Sequence, residues 1–191
     1  DVYKRQAEDT QGHIWIGTFR GLNKNNVHDY HQYFCTDDSL GLPDNQITHL
    51  LRDSKNRFWV GTVNGVCLYT DKDNFRIIPI EADNKNVRQI LEDRNGRIFL
   101  NTGFQLYAYH PREEKITCVL PEISPGNAFY AQCHIAPDNN LWVMTSTGLR
   151  CYDPSTLQLK ESVALSGYPY YSYLHNNELW ITGNHTLSIF D

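Results

Sequence analysis

An aromatic residue flanked by aliphatic ones recurs five times along this chain, and the recurrence restricts the fold more than any other property of the sequence. The anchors are Trp15, Trp59, Phe99, Trp142 and Trp180, spaced 44, 40, 43 and 38 residues apart. Three positions before them stand Gly12, Asn56, Gly96, Asn139 and Asn177, always one of the two residues that adopt a left-handed backbone cheaply. Gly and Asn make up 29 of the 191 residues, so five such hits from five positions would arise by chance on the order of one time in ten thousand. Seven positions after the anchor come Leu22, Val66, Leu106, Leu149 and Leu187. Ten after come Tyr69, Tyr109, Tyr152 and Phe190, with Asn25 departing in the first copy.

Each unit reads as short β-strands joined by tight turns. In the second copy, 47–52, 58–63, 66–70 and 75–80 are strand-like, with Asn56 turning the chain between the first two. Asn64-Gly65 reads as a type I′ hairpin turn. No segment sustains a 3.6-residue apolar period, so helix is not expected. Four antiparallel strands in about forty residues is the pattern of a propeller blade. The tryptophans are then expected to fill the space between blades, and Gly17 and Gly61 to permit close backbone approach. The expected fold is all-β, a partial β-propeller of about four and a half four-stranded antiparallel blades forming an open arc of a larger ring. The blades fall at 7–40, 41–82, 83–122, 123–165 and 166–191. Residues 1–6 back-translate to a string resembling the mosaic end used by a transposase in library preparation, and are set aside as an expected sequencing scar, with the true N-terminus expected upstream.

Composition removes several functional classes. The net charge of −5, without blocks of like charge, provides no basic footprint for nucleic acid. No apolar run reaches the roughly 18–20 residues that span a bilayer as a helix. The five cysteines, Cys35, Cys67, Cys118, Cys133 and Cys151, contain no Cys-x-x-Cys pair and read as small apolar residues, mostly in strands.

Two strings carry a family resemblance. Residues 8–22, including Asp9, Gly12, Trp15-Ile16-Gly17-Thr18 and Gly21-Leu22, and residues 41–66, including Gly41-Leu42-Pro43-Asp44-Asn45-Gln46, Asp53 and Trp59-Val60-Gly61-Thr62, resemble two-component regulator propeller repeats. Copies three to five are looser, with Asn101, Met144 and Thr182 at the place of Gly17 and Gly61. The resemblance implies a ring of about seven blades in the periplasmic sensor region of a hybrid two-component histidine kinase of Bacteroidota. Kinase domains are then expected downstream in the same chain, and a homodimer in the intact protein.

The chemistry-bearing patterns are mostly structural. Asp9/Gly12 and Asp93/Gly96 read as turn caps, and His28-Asp29-Tyr30-His31 as a solvated loop rather than a metal site. No catalytic pair, metal set or cofactor motif is expected. Propeller function usually lives on the rim where the loop between second and third strands and the loop between blades emerge. By register the first kind carries Arg20, Asn64, Phe104, Gln105, Thr147 and His185. The second carries Asp44-Asn45-Gln46, Asn84-Lys85-Asn86, residues 126–129 and the cluster Tyr168, Tyr170 and Tyr171. Amides and aromatics together suit an oligosaccharide, hydrogen-bonding its hydroxyls and stacking on its apolar faces. The three tyrosines equally suit packing of the fifth blade. A ligand-sensing, non-enzymatic module is expected, the alternatives being a propeller enzyme (a quinoprotein or polysaccharide lyase) and a protein-interaction scaffold.

Overall fold

A computed structural model describes residues 5–26, 29–36, 41–70, 73–123, 131–165, 167 and 169–190. Among them there is no α-helix, and nineteen strands form five antiparallel sheets. The first sheet is β1 (Gln6–Glu8), β2 (Ile14–Thr18), β3 (Gly21–Asn25) and β4 (Tyr30–Tyr33), and the second β5 (Ile47–Arg52), β6 (Phe58–Thr62), β7 (Gly65–Tyr69) and β8 (Phe75–Ile78). The third is β9 (Gln89–Glu92), β10 (Ile98–Asn101), β11 (Leu106–His110) and β12 (Lys115–Leu120). The fourth is β13 (Gln132–Ile135), β14 (Leu141–Thr145), β15 (Gly148–Tyr152) and β16 (Leu159–Ala164), and the fifth has three strands, β17 (Pro169–His175), β18 (Glu178–Gly183) and β19 (Thr186–Phe190). Each sheet is a meander in chain order.

The sheets stand side by side along one arc. First strands of successive sheets approach each other, β1 to β5, β5 to β9, β9 to β13 and β13 to β17. The apolar core is correspondingly divided into four clusters, each shared by two neighbouring sheets. Trp15 and Leu22 of the first sheet pack with Ile47, Phe58 and Val60 of the second. Trp59 and Val66 pack with Ile90, Ile98 and Tyr109 of the third. Trp15 and Trp59 are fully buried, and each meets the edge of the next sheet's tyrosine, Tyr69 at 4.7 Å and Tyr109 at 4.9 Å between ring centroids. A sheet of this size cannot cover both of its faces alone, so the radial arrangement follows from where the large side chains fall. The chain is a partial β-propeller, an open arc of antiparallel blades.

The five left-handed positions are all left-handed, with φ of 81° at Gly12, 59° at Asn56, 72° at Gly96, 67° at Asn139 and 73° at Asn177. A Cβ on Gly17 would stand 2.4 Å from Ile47 Cγ2, so the close approach there is possible only for glycine. The turn at Asn64-Gly65 differs from the type I′ expectation. Its two loop residues are Val63 and Asn64, Asn64 has no positive φ, and Gly65 opens β7 at φ 132°. The cause is Thr62, whose hydroxyl accepts the Asn64 N–H at 3.2 Å and donates to the Gly65 carbonyl at 3.0 Å. Thr18 and Thr145 lock their own hairpins in the same way. The type I′ geometry occurs instead at Asn176-Asn177, with φ of 48° and 73°. Cys67, Cys133 and Cys151 are buried in strands, Cys118 is an exposed strand residue, and Cys35 lies outside the strands.

Two outer surfaces of the arc expose apolar side chains. The first sheet presents Ile14, Ile16 and Phe19, and the last Tyr173, Leu187 and Ile189. Leu187 is 58% exposed where its counterparts Leu22, Val66, Leu106 and Leu149 are at 0%. Those four are covered by a neighbouring sheet and Leu187 is not.

Candidate functional site

Up-and-down connectivity divides the turns between two rims. The connections β2–β3, β6–β7, β10–β11, β14–β15 and β18–β19 lie on one, together with the links between sheets. Arg20, Asn64, Phe104, Gln105, Thr147 and His185 all fall in these turns, each sheet contributing its own. The links are tied to the turns by main-chain bonds, Gly21 N–H to Asn45 O at 2.7 Å, Val63 N–H to Gln46 O at 3.2 Å and Ile123 N–H to Phe104 O at 2.8 Å. Gln105 is not free on this rim, because its Oε1 accepts the Tyr107 hydroxyl at 2.7 Å. Tyr170 is exposed and Tyr171 half-buried within β17. Tyr168, His28 and residues 126–129 lie outside the described residues. The expected residues are therefore spread along the arc, one turn per sheet.

Just inside this rim, polar side chains join the first strands of the second to fifth sheets, each to the next. Gln89 Oε1 accepts the Cys133 N–H at 2.9 Å and its Nε2 donates to Cys133 O at 3.2 Å. Gln132 Oε1 accepts the Ser172 N–H at 2.8 Å, and His49 Nδ1 accepts the Ile90 N–H at 3.3 Å. All three acceptors stand ten residues before their anchors. They satisfy main-chain groups that an inner edge strand would otherwise leave unpaired.

The other rim carries a cleft of about 380 Å³ between the first and second sheets, lined by Asp9, Thr10, Gln11, Lys24, Arg52, Asn56, Phe58, Tyr69 and Asp73. It is built on the recurring first turn. Asp9 Oδ1 accepts the N–H groups of Gln11 at 2.9 Å and His13 at 3.0 Å, while Oδ2 accepts Trp15 Nε1–H at 2.8 Å and lies 2.8 Å from His13 Nδ1. Asp53 repeats this with Lys55, Arg57 and Trp59. Asp93 repeats only the main-chain half. Phe99 stands where a tryptophan would donate, and Asp93 Oδ2 is buried with no partner.

Across the cleft, Asp73 Oδ1 accepts the hydroxyls of Tyr69 at 2.6 Å and Tyr33 at 2.7 Å and lies 3.5 Å from Lys24 Nζ. Lys24 also donates to Tyr69 Oη at 3.0 Å and sits over the Trp15 ring at 5.2 Å. Hydrogen bonds from Tyr69 and Tyr33 hold the Asp73 carboxyl below its ordinary range, against desolvation. Burial pushes the Asp9 carboxyl up, but the hydrogen bonds of Trp15 and His13 outweigh it and leave it lowered. Burial, reinforced by Asp73, pushes the Tyr33 hydroxyl well up. Burial pulls the Lys24 ammonium down, and Tyr69 and Asp73 more than restore it.

The signs follow directly. A carboxyl lowered on folding contributes stability above its unfolded value, here 3.8 for Asp9 and Asp73, and loses it as the pH falls through the folded value. Tyr33 and Lys24, raised on folding, contribute stability below 10.0 and 10.5 and lose it as the pH rises above. The expected result is a thermal midpoint that declines below about pH 4 and again above about pH 10. In Asp73→Asn both declines are shallower; calorimetric melting across the pH range checks this.

Among the described residues, no group of three or more His, Cys, Asp and Glu side chains is placed to hold a metal ion.

The architecture defines a class, the β-propeller, and a more particular kinship follows from the second sheet. Residues 41–64 match the family described as two component regulator propeller. No curated protein sequence matches the chain. Among solved structures it is similar to virginiamycin B lyase from Staphylococcus aureus, with a TM-score of 0.71 and 16% identity, covering 97% of this chain and 68% of that one. It is also similar to two extracellular domains described as belonging to hybrid two component systems of B. thetaiotaomicron. Their TM-scores are 0.63 and 0.53 at 17% and 16% identity, with 97% of this chain covered in both. The chain spans about a third of the length of those domains, 33% and 34%. At such identities these likenesses establish the propeller fold and no chemistry.

Proposed function

We propose that this chain is part of a ligand-sensing propeller in the periplasmic region of a hybrid two-component sensor kinase, and that its ligand is an oligosaccharide. The observation that carries the reading is the two-component regulator propeller repeat at 41–64. It is supported by the likeness in fold to extracellular domains of hybrid two component systems. The rim of Arg20, Asn64, Phe104, Gln105, Thr147 and His185, with Tyr170 and Tyr171, supplies amide, hydroxyl and aromatic groups of the kind that bind sugars. The module senses and does not catalyse. Its partners are the remaining blades and the downstream domains of its own chain, and a second copy in a homodimer. A ligand can signal here only by binding one arrangement of the paired sensor chains better than another.

Titration calorimetry of the complete extracellular region against a panel of neutral and acidic oligosaccharides tests this. Saturable heat with one glycan class is expected. No heat above background for any of them would overturn the oligosaccharide reading.

A further inference from the structure

The recurring first turn is capped differently at each junction between sheets. Its second residue, five before the anchor, is Thr10, Ser54, Arg94 or Pro137 in the first four sheets. The Ser54 N–H and hydroxyl donate to the Glu92 carboxylate of the following sheet, at 2.8 Å to Oε2 and 2.5 Å to Oε1. The Arg94 N–H donates to Asn139 Oδ1 at 2.8 Å, again from the following sheet. Pro137 has no N–H to cap.

Thr10 breaks the series. The residue that corresponds to Glu92, seven before the second anchor, is Arg52, which can only donate. Thr10 and Arg52 both line the 380 Å³ cleft. Among the described residues neither side chain has a hydrogen-bond partner, nor has the Thr10 N–H, and Gln11 and Asn56 line the same space.

Two carboxylates also line the cleft, and three of their four oxygens are engaged. Asp9 has two neighbours on each carboxylate oxygen, and Asp73 Oδ1 serves two hydroxyls and Lys24. The first junction therefore presents a guanidinium, beside the Thr10 N–H and hydroxyl, where the second holds a carboxylate.

We infer that this cleft is a carboxylate-binding site. The bound group takes the place that Glu92 fills one junction further on, received by the Thr10 N–H and hydroxyl and by the Arg52 guanidinium, with the Lys24 ammonium nearby. Resting on the oligosaccharide reading above, the ligand is a saccharide containing uronic acid. A planar carboxylate accepts in a bidentate manner from a guanidinium, which favours it over a neutral sugar.

The test uses the intact protein and Arg52→Glu, which sets a carboxylate where Glu92 has one and so fills the site internally. The probes are trisaccharides of galacturonate, glucuronate and mannuronate, their neutral counterparts, and sodium acetate. At least one uronate is expected to bind saturably and tighter than its neutral counterpart. Arg52→Glu is expected to weaken it about 10- to 100-fold without lowering the melting temperature. Acetate, compared with chloride at equal ionic strength, is expected to raise the melting temperature of the parent and not of the variant.

Neutral and acidic sugars binding alike, or a uronate affinity untouched by Arg52→Glu, would overturn the cleft assignment while leaving the oligosaccharide reading intact. An Arg52-dependent acetate effect with no saccharide bound would uphold the site and sink that reading. If neither a uronate nor acetate acts through Arg52, the proposal is overturned outright.

Discussion

Trp59→Ala is expected to cost about 3–5 kcal/mol of stability, the usual range for emptying a large aromatic site, and more where the buried Asp53 loses a donor. Trp59 is fully buried between the second and third sheets, edge-on to Tyr109, and its Nε1–H donates to Asp53 Oδ2 at 2.8 Å. Domains of this kind carry roughly 5–15 kcal/mol in total, so the variant should sit near the edge of folding. Trp59→Phe separates packing from hydrogen bonding, and the third sheet already accommodates a phenylalanine at that place. There Phe99 stands before Asp93, whose Oδ2 is buried and unpartnered. Trp59→Phe is expected to cost about 1.5–3 kcal/mol, the net worth of one hydrogen bond to a charged group, since Arg57 Nε still donates to Asp53 Oδ2 at 2.6 Å. Urea denaturation followed by circular dichroism reads both, and a Trp59→Ala midpoint equal to the parent's would remove the tryptophans from their radial role.

Asn101→Gly has the second large expected effect, even though glycine stands at that place in the first two sheets. Asn101 is fully buried. Its Nδ2 donates to Gln89 Oε1 and Ala131 O, both at 2.7 Å, and its Oδ1 accepts the Gly103 N–H at 2.6 Å. Through Gln89 the same network reaches Cys133 of the fourth sheet. Removing the side chain leaves the Ala131 carbonyl and the Gly103 N–H unpaired, while Gln89 Oε1 keeps the Cys133 N–H, at about 1–3 kcal/mol for each group that water cannot reach, and glycine adds about 0.5–1 kcal/mol of backbone entropy. A loss of roughly 3–5 kcal/mol is expected by the same urea assay. A loss under about 1 kcal/mol would mean the third and fourth sheets are held by apolar contact alone.

These two sites also show which parts of the molecule the sequence discloses. The repeat and its turns are legible because their causes are local. A left-handed backbone three residues before an aromatic anchor demands Gly or Asn, and all five positions obey. The strands of the second sheet begin and end within two residues of where alternation places them. The Asn64-Gly65 turn is misread because the deciding group, the Thr62 hydroxyl, lies outside the dipeptide that signals a hairpin.

The cleft is hidden for a different reason. Neither Thr10 nor Arg52 is unusual alone, and the exchange of a carboxylate for a guanidinium emerges only when positions five and seven residues before two successive anchors are set against Ser54 and Glu92. The signal is present in the register, but its meaning depends on which sheet covers which turn. The rim carrying Arg20, Asn64 and His185 is legible from connectivity, whereas the spread of its residues over separate sheets is a matter of three-dimensional placement.

A crystal structure of the intact protein is the most direct trial of the whole account. It should place Gln6–Glu8, Ile47–Arg52, Gln89–Glu92, Gln132–Ile135 and Pro169–His175 next to one another around a common axis, with the Trp15 and Trp59 rings sealed between successive sheets. Two sheets packed face to face as a sandwich, or those indoles turned out to solvent, would contradict it.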